Sequence, residues 1–111
     1  MNRPTRFYSD KQEKKVAKEV GGKQVSNSGA TRFNKGDVVT SDWLIECKTK
    51  TKPSESMTIR KEWLEKNREE AFAMNRSYSA LSIDFGDGIN YYILDSKLFL
   101  SFIELLKEVD E

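Results

Sequence analysis

Asp37, Glu46 and Lys48 stand in the stretch GDVVTSDWLIECKTK, residues 36 to 50, whose valines, tryptophan, leucine and isoleucine otherwise mark a pair of strands. Strand interiors disfavour Asp, Glu and Lys, so these three need a compensating partner. If the turn is the pair Ser41-Asp42, then Thr40 faces Trp43 and, counting outward, Asp37 faces Glu46. Directly opposed residues of an antiparallel pair hold their Cβ atoms about 4.5 to 5.5 Å apart, which would bring two carboxylates to one spot. Side chains alternate along a strand, so Lys48 is expected on the same face, with Ile45 and Cys47 on the other, in the core. A slip of one residue would part the carboxylates.

Adjacent carboxylates repel unless a proton or a cation lies between them. A hard divalent cation is the natural partner, and Mg²⁺ commonly takes one or two protein carboxylates while keeping several waters. Lys48 beside such a site could hold or help activate a water and offset charge on a phosphate. Together the three describe metal-assisted hydrolysis of a phosphodiester. Singly, each has an ordinary alternative as a strand-end or solvated charge; only the set is suggestive. Asp42 reads as a turn residue and Cys47 as a small core residue. The chain has no histidine, which removes Ser-His-Asp, Cys-His and zinc-imidazole chemistry and leaves carboxylates and lysine to do any catalysis.

The surrounding chain must position these residues. With 111 residues, one small domain spanning 1–111 is expected. No apolar run approaches the roughly 18 residues needed to cross a bilayer, and MNRPTRFYSDKQEKK has no apolar signal core, so a soluble, cytoplasmic protein is expected. The single cysteine allows no internal disulfide. A first helix is expected from a Ser9 N-cap, with Gln12 completing a capping box and Gly21-Gly22 ending it. Val16, Ala17 and Val20 form its apolar stripe, and Glu13 precedes them at helical spacing, whereas Glu19 points elsewhere. Gln24–Ser26 could be a short strand before a polar loop. After the strand pair, KTKTKPSES leads to a second helix, roughly Ile59 to Met74, with an apolar stripe of Ile59, Trp63, Leu64, Ala71 and Met74. SALSIDFGDGINYYILD reads as a hairpin with a GDG turn, and a last helix runs from about Ser96 to Val109. The order helix, three strands, helix, two strands, helix predicts an α+β domain with a mixed sheet between or beside helices.

The motif GD…LIECK, with Asp37, Glu46 and Lys48, resembles the active-site motif of the PD-(D/E)XK nuclease superfamily, whose core order of helix, three strands, helix and strand is similar to the one just read. Within it the chain is most similar to the archaeal-type and phage Holliday-junction resolvases. Those place a glutamate on the first helix, where Glu13 stands, and a Ser/Gly-rich loop before the metal-binding aspartate, where SNSGATR stands. Gly36 replaces the proline of the superfamily name, and the gap from Asp37 to Glu46 is shorter than in many archaeal relatives. The resemblance implies Mg²⁺, with Mn²⁺ as a substitute, held by Asp37, Glu46 and the backbone carbonyl of Cys47. It also implies Lys48 on the attacking water and Glu13 assisting, with Glu13 a candidate further ligand.

Charge is unevenly spread: residues 1–61 carry 14 Lys and Arg against 7 Asp and Glu, and residues 62–111 carry 5 against 11. The first half is thus built to meet an anion, unless the two halves are simply solvated faces. Arg32, Lys35, Lys50, Lys52, Arg60 and Lys61 flank the motif and are expected to line a phosphate track, with Ser26, Asn27, Ser28 and the backbone near Gly29 as hydrogen-bonding partners. No base-reading element is evident, so shape should be recognised more than sequence. The expected substrate is branched DNA, above all a four-way junction. A flap, nick or duplex nuclease of repair or restriction type, or a non-catalytic nucleic-acid-binding module, remains the alternative. Resolving a junction takes two symmetric nicks, so a homodimer is expected. Leu98, Phe99, Phe102, Ile103, Leu106 and Val109 of the last helix, extended by Tyr91 and Tyr92, are its expected interface, unless that helix is buried in the core.

Overall fold

The computed structural model describes residues 4–25 and 37–110. Three helices and five strands follow in the order α1 (Thr5–Val20), β1 (Lys23–Gln24), β2 (Asp37–Val39), β3 (Trp43–Thr49), α2 (Lys61–Ala73), β4 (Tyr78–Asp84), β5 (Asn90–Ile93) and α3 (Ser96–Asp110). The strands form one mixed sheet in the order β1-β2-β3-β4-β5, an α+β architecture. Every neighbouring pair is antiparallel except β3 with β4. That parallel pair requires a crossover, and the chain carrying α2 supplies it.

Two helices cover opposite faces of the sheet. Val38, Ile45 and Ala80 are register partners in one row across β2, β3 and β4, and Val16 of α1 packs on them with Ala17 and Val20 at the margin. Val39 and Leu44 belong to the opposite face, where Ala71 of α2 covers them beside Met74. The amide of Asn67, also on α2, donates to the carbonyls of Leu44 and Ala80 at 3.3 and 3.0 Å. A buried polar side chain thereby stitches α2 to both parallel strands.

Element ends differ from the sequence expectation in ways that have local causes. The first helix begins at Thr5, not Ser9, with Pro4 at its N-cap and no side-chain cap. Proline is pre-set for a helix start, and the Phe7 amide bonds the Pro4 carbonyl at 2.9 Å. Arg6 then reaches down two turns to Glu13, so the extra turn is tied on and Ser9 lies inside the helix. The helix ends as expected, with Gly21 left-handed. A Cβ on Gly22 would come within 2.4 Å of the Val39 carbonyl oxygen, so only glycine lets α1 meet the sheet here. The first strand is Lys23–Gln24 and the second helix Lys61–Ala73, with Arg60 in extended backbone at its N-cap.

The GDG hairpin forms between β4 and β5. Buried Asp84 accepts the amides of Gly86 and Gly88 on one carboxylate oxygen at 2.8 and 3.1 Å, closing the turn. The residues after β3 are fastened to this turn: Lys50 N bonds Asp84 O, Ser54 N bonds Phe85 O, and the backbone of Lys52 approaches Gly86 so closely that a Cβ there would lie 2.6 Å away.

The last helix is the exception to this packing. No side chain of α3 is buried; it touches the sheet only in part, through Phe102, which stacks on Trp43 of β3, and Leu98 and Ile103 are half-buried. The alternative that α3 is absorbed into the core is therefore excluded. Among the described residues, no helix is long and apolar enough to cross a membrane.

Candidate active site

The β2–β3 hairpin sets the site. Thr40 Oγ1 accepts the amides of Asp42 and Trp43 at 3.2 and 3.0 Å, and the Thr40 amide bonds the Trp43 carbonyl at 3.0 Å, fixing Ser41-Asp42 as the turn. Asp37 is then the register partner of Glu46. The two share the α2 face with Lys48, while Ile45 and Cys47 pack beneath α1.

Both carboxylates are withdrawn from water, Asp37 with 1% and Glu46 with 8% of its surface exposed. One oxygen of Asp37, Oδ2, is buried with no hydrogen-bond partner among the described residues. Burial, and then the charges of Glu46, Glu70 and Glu13, push the Asp37 carboxyl up to about 8, against a smaller opposing pull from Lys48. Asp37 is thus a group that binds either a proton or another positive charge at neutral pH.

Lys48 is held from two sides. Its ammonium lies 3.4 Å from Glu46 Oε1 and 4.4 Å from the ring centroid of Trp63 on α2. The Lys48 carbonyl accepts Gln12 Nε2 at 3.0 Å, and the same amide donates to Ser82 O of β4 at 3.3 Å. A buried glutamine from α1 therefore fixes the backbone that carries Lys48, while an aromatic ring from α2 fixes its tip.

Glu13 is buried, as its alignment with Val16 implies, and Glu19 is exposed, accepting the Tyr92 hydroxyl at 2.6 Å. Both Glu13 oxygens are engaged, Oε2 with Arg6 at 3.3 Å and Oε1 with Gln24 Nε2 at 3.1 Å. Glu13 therefore contributes negative charge toward Asp37 from a fixed position. The Cys47 thiol is pushed well above its usual range by burial and by the charges of Glu13, Asp37 and Glu46, so its side chain stays neutral.

Three residues near the site carry no sequence signal for it: Trp63 stands in an apolar stripe, Gln12 completes a capping box, and Glu70 lies in the second helix. Glu70 follows Trp63 by seven residues and Asn67 by three, so helical spacing alone aligns it with them. Its carboxyl is raised by burial, with Lys66 opposing and Glu46 adding to the rise.

Among the described residues, no three His, Cys, Asp or Glu side chains are gathered tightly enough to cage a metal. The arrangement suits a cation that needs no such cage. Mg²⁺ is commonly bound by one or two carboxylates and otherwise by water and phosphate oxygens. The paired carboxylates and the orphaned Asp37 oxygen fit that demand.

Of the residues expected to meet DNA, Lys50, Lys52, Arg60 and Lys61 are exposed on the connection from β3 to the start of α2. Arg60 is paired with Glu62 at 2.6 Å. Ser26, Asn27, Ser28, Gly29, Arg32 and Lys35 lie outside the described residues.

Comparison of the chain with family models, with curated proteins and with solved structures finds no match.

Proposed function

We propose that this chain is a Mg²⁺-dependent endonuclease of the PD-(D/E)XK type that hydrolyses phosphodiester bonds in branched DNA, a four-way junction above all. The observation that carries the proposal is the buried cross-strand pair of Asp37 and Glu46, with an unpartnered oxygen on Asp37 and Lys48 alongside. Burying two carboxylates together serves no packing purpose, and apolar residues of similar size would be cheaper there.

In this reading Asp37, Glu46 and the Cys47 backbone carbonyl would hold the cation, which would supply Lewis-acid charge and a water of lowered pKa for phosphodiester hydrolysis. Lys48, anchored by Glu46 and Trp63, donates hydrogen bonds to the attacking water or to a non-bridging phosphate oxygen, where charge develops as the P–O bond breaks. Gln12 keeps the Lys48 backbone in register. Glu13, tied to Arg6 and Gln24, assists through its charge and by holding α1 in place. Lys50 and Lys52 follow directly from the strand that ends the site, Lys61 opens α2, and all three would meet phosphates along the substrate.

Incubation with a labelled junction, a flap and a plain duplex, in Mg²⁺ or Mn²⁺ and then in EDTA, tests this function. Metal-dependent cutting of the junction in preference to the others is expected. Preference for the flap or duplex would move the assignment to a repair or restriction nuclease, and metal-dependent cutting of none would leave a binding module.

A further inference from the structure

We propose that the tip of the β2–β3 hairpin, where α1 ends, is a binding site for a nucleoside 5′-monophosphate, separate from the carboxylate pair. An apolar cleft takes the base, and a cationic hollow across a shared rim takes the phosphate. The inference goes beyond the nuclease reading and holds whether or not the chain cuts DNA.

Two hollows meet at this tip. The first, of about 520 Å³, is walled by Val20, Trp43, Ile45, Ala80, Tyr92 and Leu94, on the sheet face that α1 packs against. Its size suits a small ligand and no charged side chain lines it. Tyr92 is held in place there by donating its hydroxyl to Glu19 at 2.6 Å. The second, of about 390 Å³, is lined by Gly22, Lys23, Val39 and Arg76. Gly21, Thr40 and Ser41 line both, so one molecule can lie across the rim between them. The rim is low at Gly21, where a Cβ would meet open space. Thr40 follows Asp37 by three residues of extended chain, about 10 Å, which sets this site and the carboxylate pair at different ends of the hairpin.

The second hollow selects an oxyanion. No acidic side chain lines it, and among the described residues neither Lys23 nor Arg76 forms an ion pair. Thr40 Oγ1 accepts the amides of Asp42 and Trp43, which leaves its own proton free to donate, and Ser41 is exposed beside it. Cations are favoured where helices end, and Lys23 and Arg76 follow the C-termini of α1 and α2. That accounts for one bond, from Arg76 Nη1 to the Met74 carbonyl at 3.1 Å. It leaves the Lys23 ammonium free for a ligand. A phosphate monoester carries a charge of about −1.5 to −2 near neutral pH, so it matches two cations where a carboxylate or a phosphodiester matches one. In the first hollow, Trp43 and Tyr92 offer ring surface on which any base can stack. The hydroxyls of Thr40 and Ser41 stand between, where the ribose would lie.

Calorimetric titration with adenosine 5′-monophosphate, adenosine and inorganic phosphate tests the proposal. EDTA is present throughout, so that the carboxylate pair cannot hold a nucleotide through a metal. The monophosphate should bind about tenfold more tightly than either fragment, because it alone fills both hollows. Lys23→Glu, at an exposed position, should weaken it by about 100-fold, and Arg76→Lys, which keeps the charge and loses the fork, by about tenfold. Both variants should bind adenosine as wild type does, and Asp37→Asn should bind the monophosphate as wild type does. Far-UV circular dichroism confirms that each variant is folded. Competition by a 5′-phosphorylated oligonucleotide, and not by its unphosphorylated form, would make a DNA end the source of the monoester; no competition by either would make the source a free nucleotide. Absence of saturable binding at millimolar monophosphate overturns the proposal, as does binding no tighter than that of phosphate, or binding that Lys23→Glu leaves intact. Loss of binding in Asp37→Asn also overturns it, by placing the nucleotide at the carboxylate pair. Failure of cleavage with nucleotide binding retained would count against the nuclease assignment alone.

Discussion

The β2–β3 hairpin and α3 invert the usual arrangement of residues in opposite ways. In the hairpin, Asp37 and Glu46 are charged groups shut away from water; in α3, Leu105, Leu106 and Val109 are apolar groups left in it. Each arrangement is costly for the isolated chain, and each cost would be removed by a different kind of partner. A cation would neutralise the first, and a matching apolar surface would cover the second. What separates them is directionality. Carboxylates in fixed register specify where a partner sits, while an apolar arc specifies only that one is needed.

The contrast is broken most severely by altering the hairpin chemistry. Asp37→Asn, Glu46→Gln and Lys48→Ala should each lower cleavage by roughly 100-fold or more, since each removes charge stabilisation of the reacting phosphate. Gel assays under single-turnover conditions measure this, and DNA binding should persist. Full activity in any of the three would remove the proposed site.

A second test reads stability rather than activity. Asp37 holds its proton up to about 8 in the folded chain, against 3.8 for an unperturbed carboxyl. Its contribution is therefore intact below about pH 4 and is lost as pH rises toward 8, at about 1.4 kcal/mol per unit. Thermal melts across that window should show wild type losing on the order of a few kcal/mol relative to Asp37→Asn. Millimolar Mg²⁺ should recover part of the loss at the alkaline end. Parallel melting curves for the two proteins at all pH values would show that Asp37 is not held protonated.

A smaller effect separates the two glutamates of α1. Glu13→Gln should lower cleavage about tenfold, as loss of a positioning hydrogen bond would, and Glu19→Gln should leave it near wild type. Equal effects would mean that the buried partners of Glu13 are irrelevant to the site. Trp63→Leu should have the mildest consequence, a few-fold loss of kcat, because a cation–π contact on an ammonium contributes about 0.5 to 2 kcal/mol. Trp63→Phe should restore most of it. Rescue that fails with Phe would assign Trp63 to packing.

The parts of this arrangement that were legible in the sequence are those governed by period and turn chemistry. A two-residue turn at Ser41-Asp42 and strict alternation were enough to pair Asp37 with Glu46 and to put Lys48 beside them. Helical spacing was enough to separate Glu13 from Glu19. The start of α1 was not legible, because the capping pattern at Ser9 competes with Pro4 and with an Arg6–Glu13 contact that exists only once the helix has formed. Gln12 and Trp63 were hidden for a different reason. Each acts on Lys48 from another element, and nothing local in the chain records that α1 and α2 converge there. The fate of α3 was likewise undetermined, since an amphipathic stripe looks the same whether its own core or another chain covers it.

The close approach of Lys52 to Gly86 bears on how the chain would behave in saturation mutagenesis. Gly86 has φ +96 and faces backbone, not a yielding side chain, so both strain and crowding oppose any replacement. Gly88, with φ +84 and open space around it, opposes replacement through strain alone and should accept asparagine. A selection scored only by survival of activity would therefore rank Gly86 with Asp37 and Glu46. Soluble yield would tell them apart: loss of either acid should leave the protein folded, whereas replacing the glycine should not, because it would push the lysine-bearing connection off the turn that holds it.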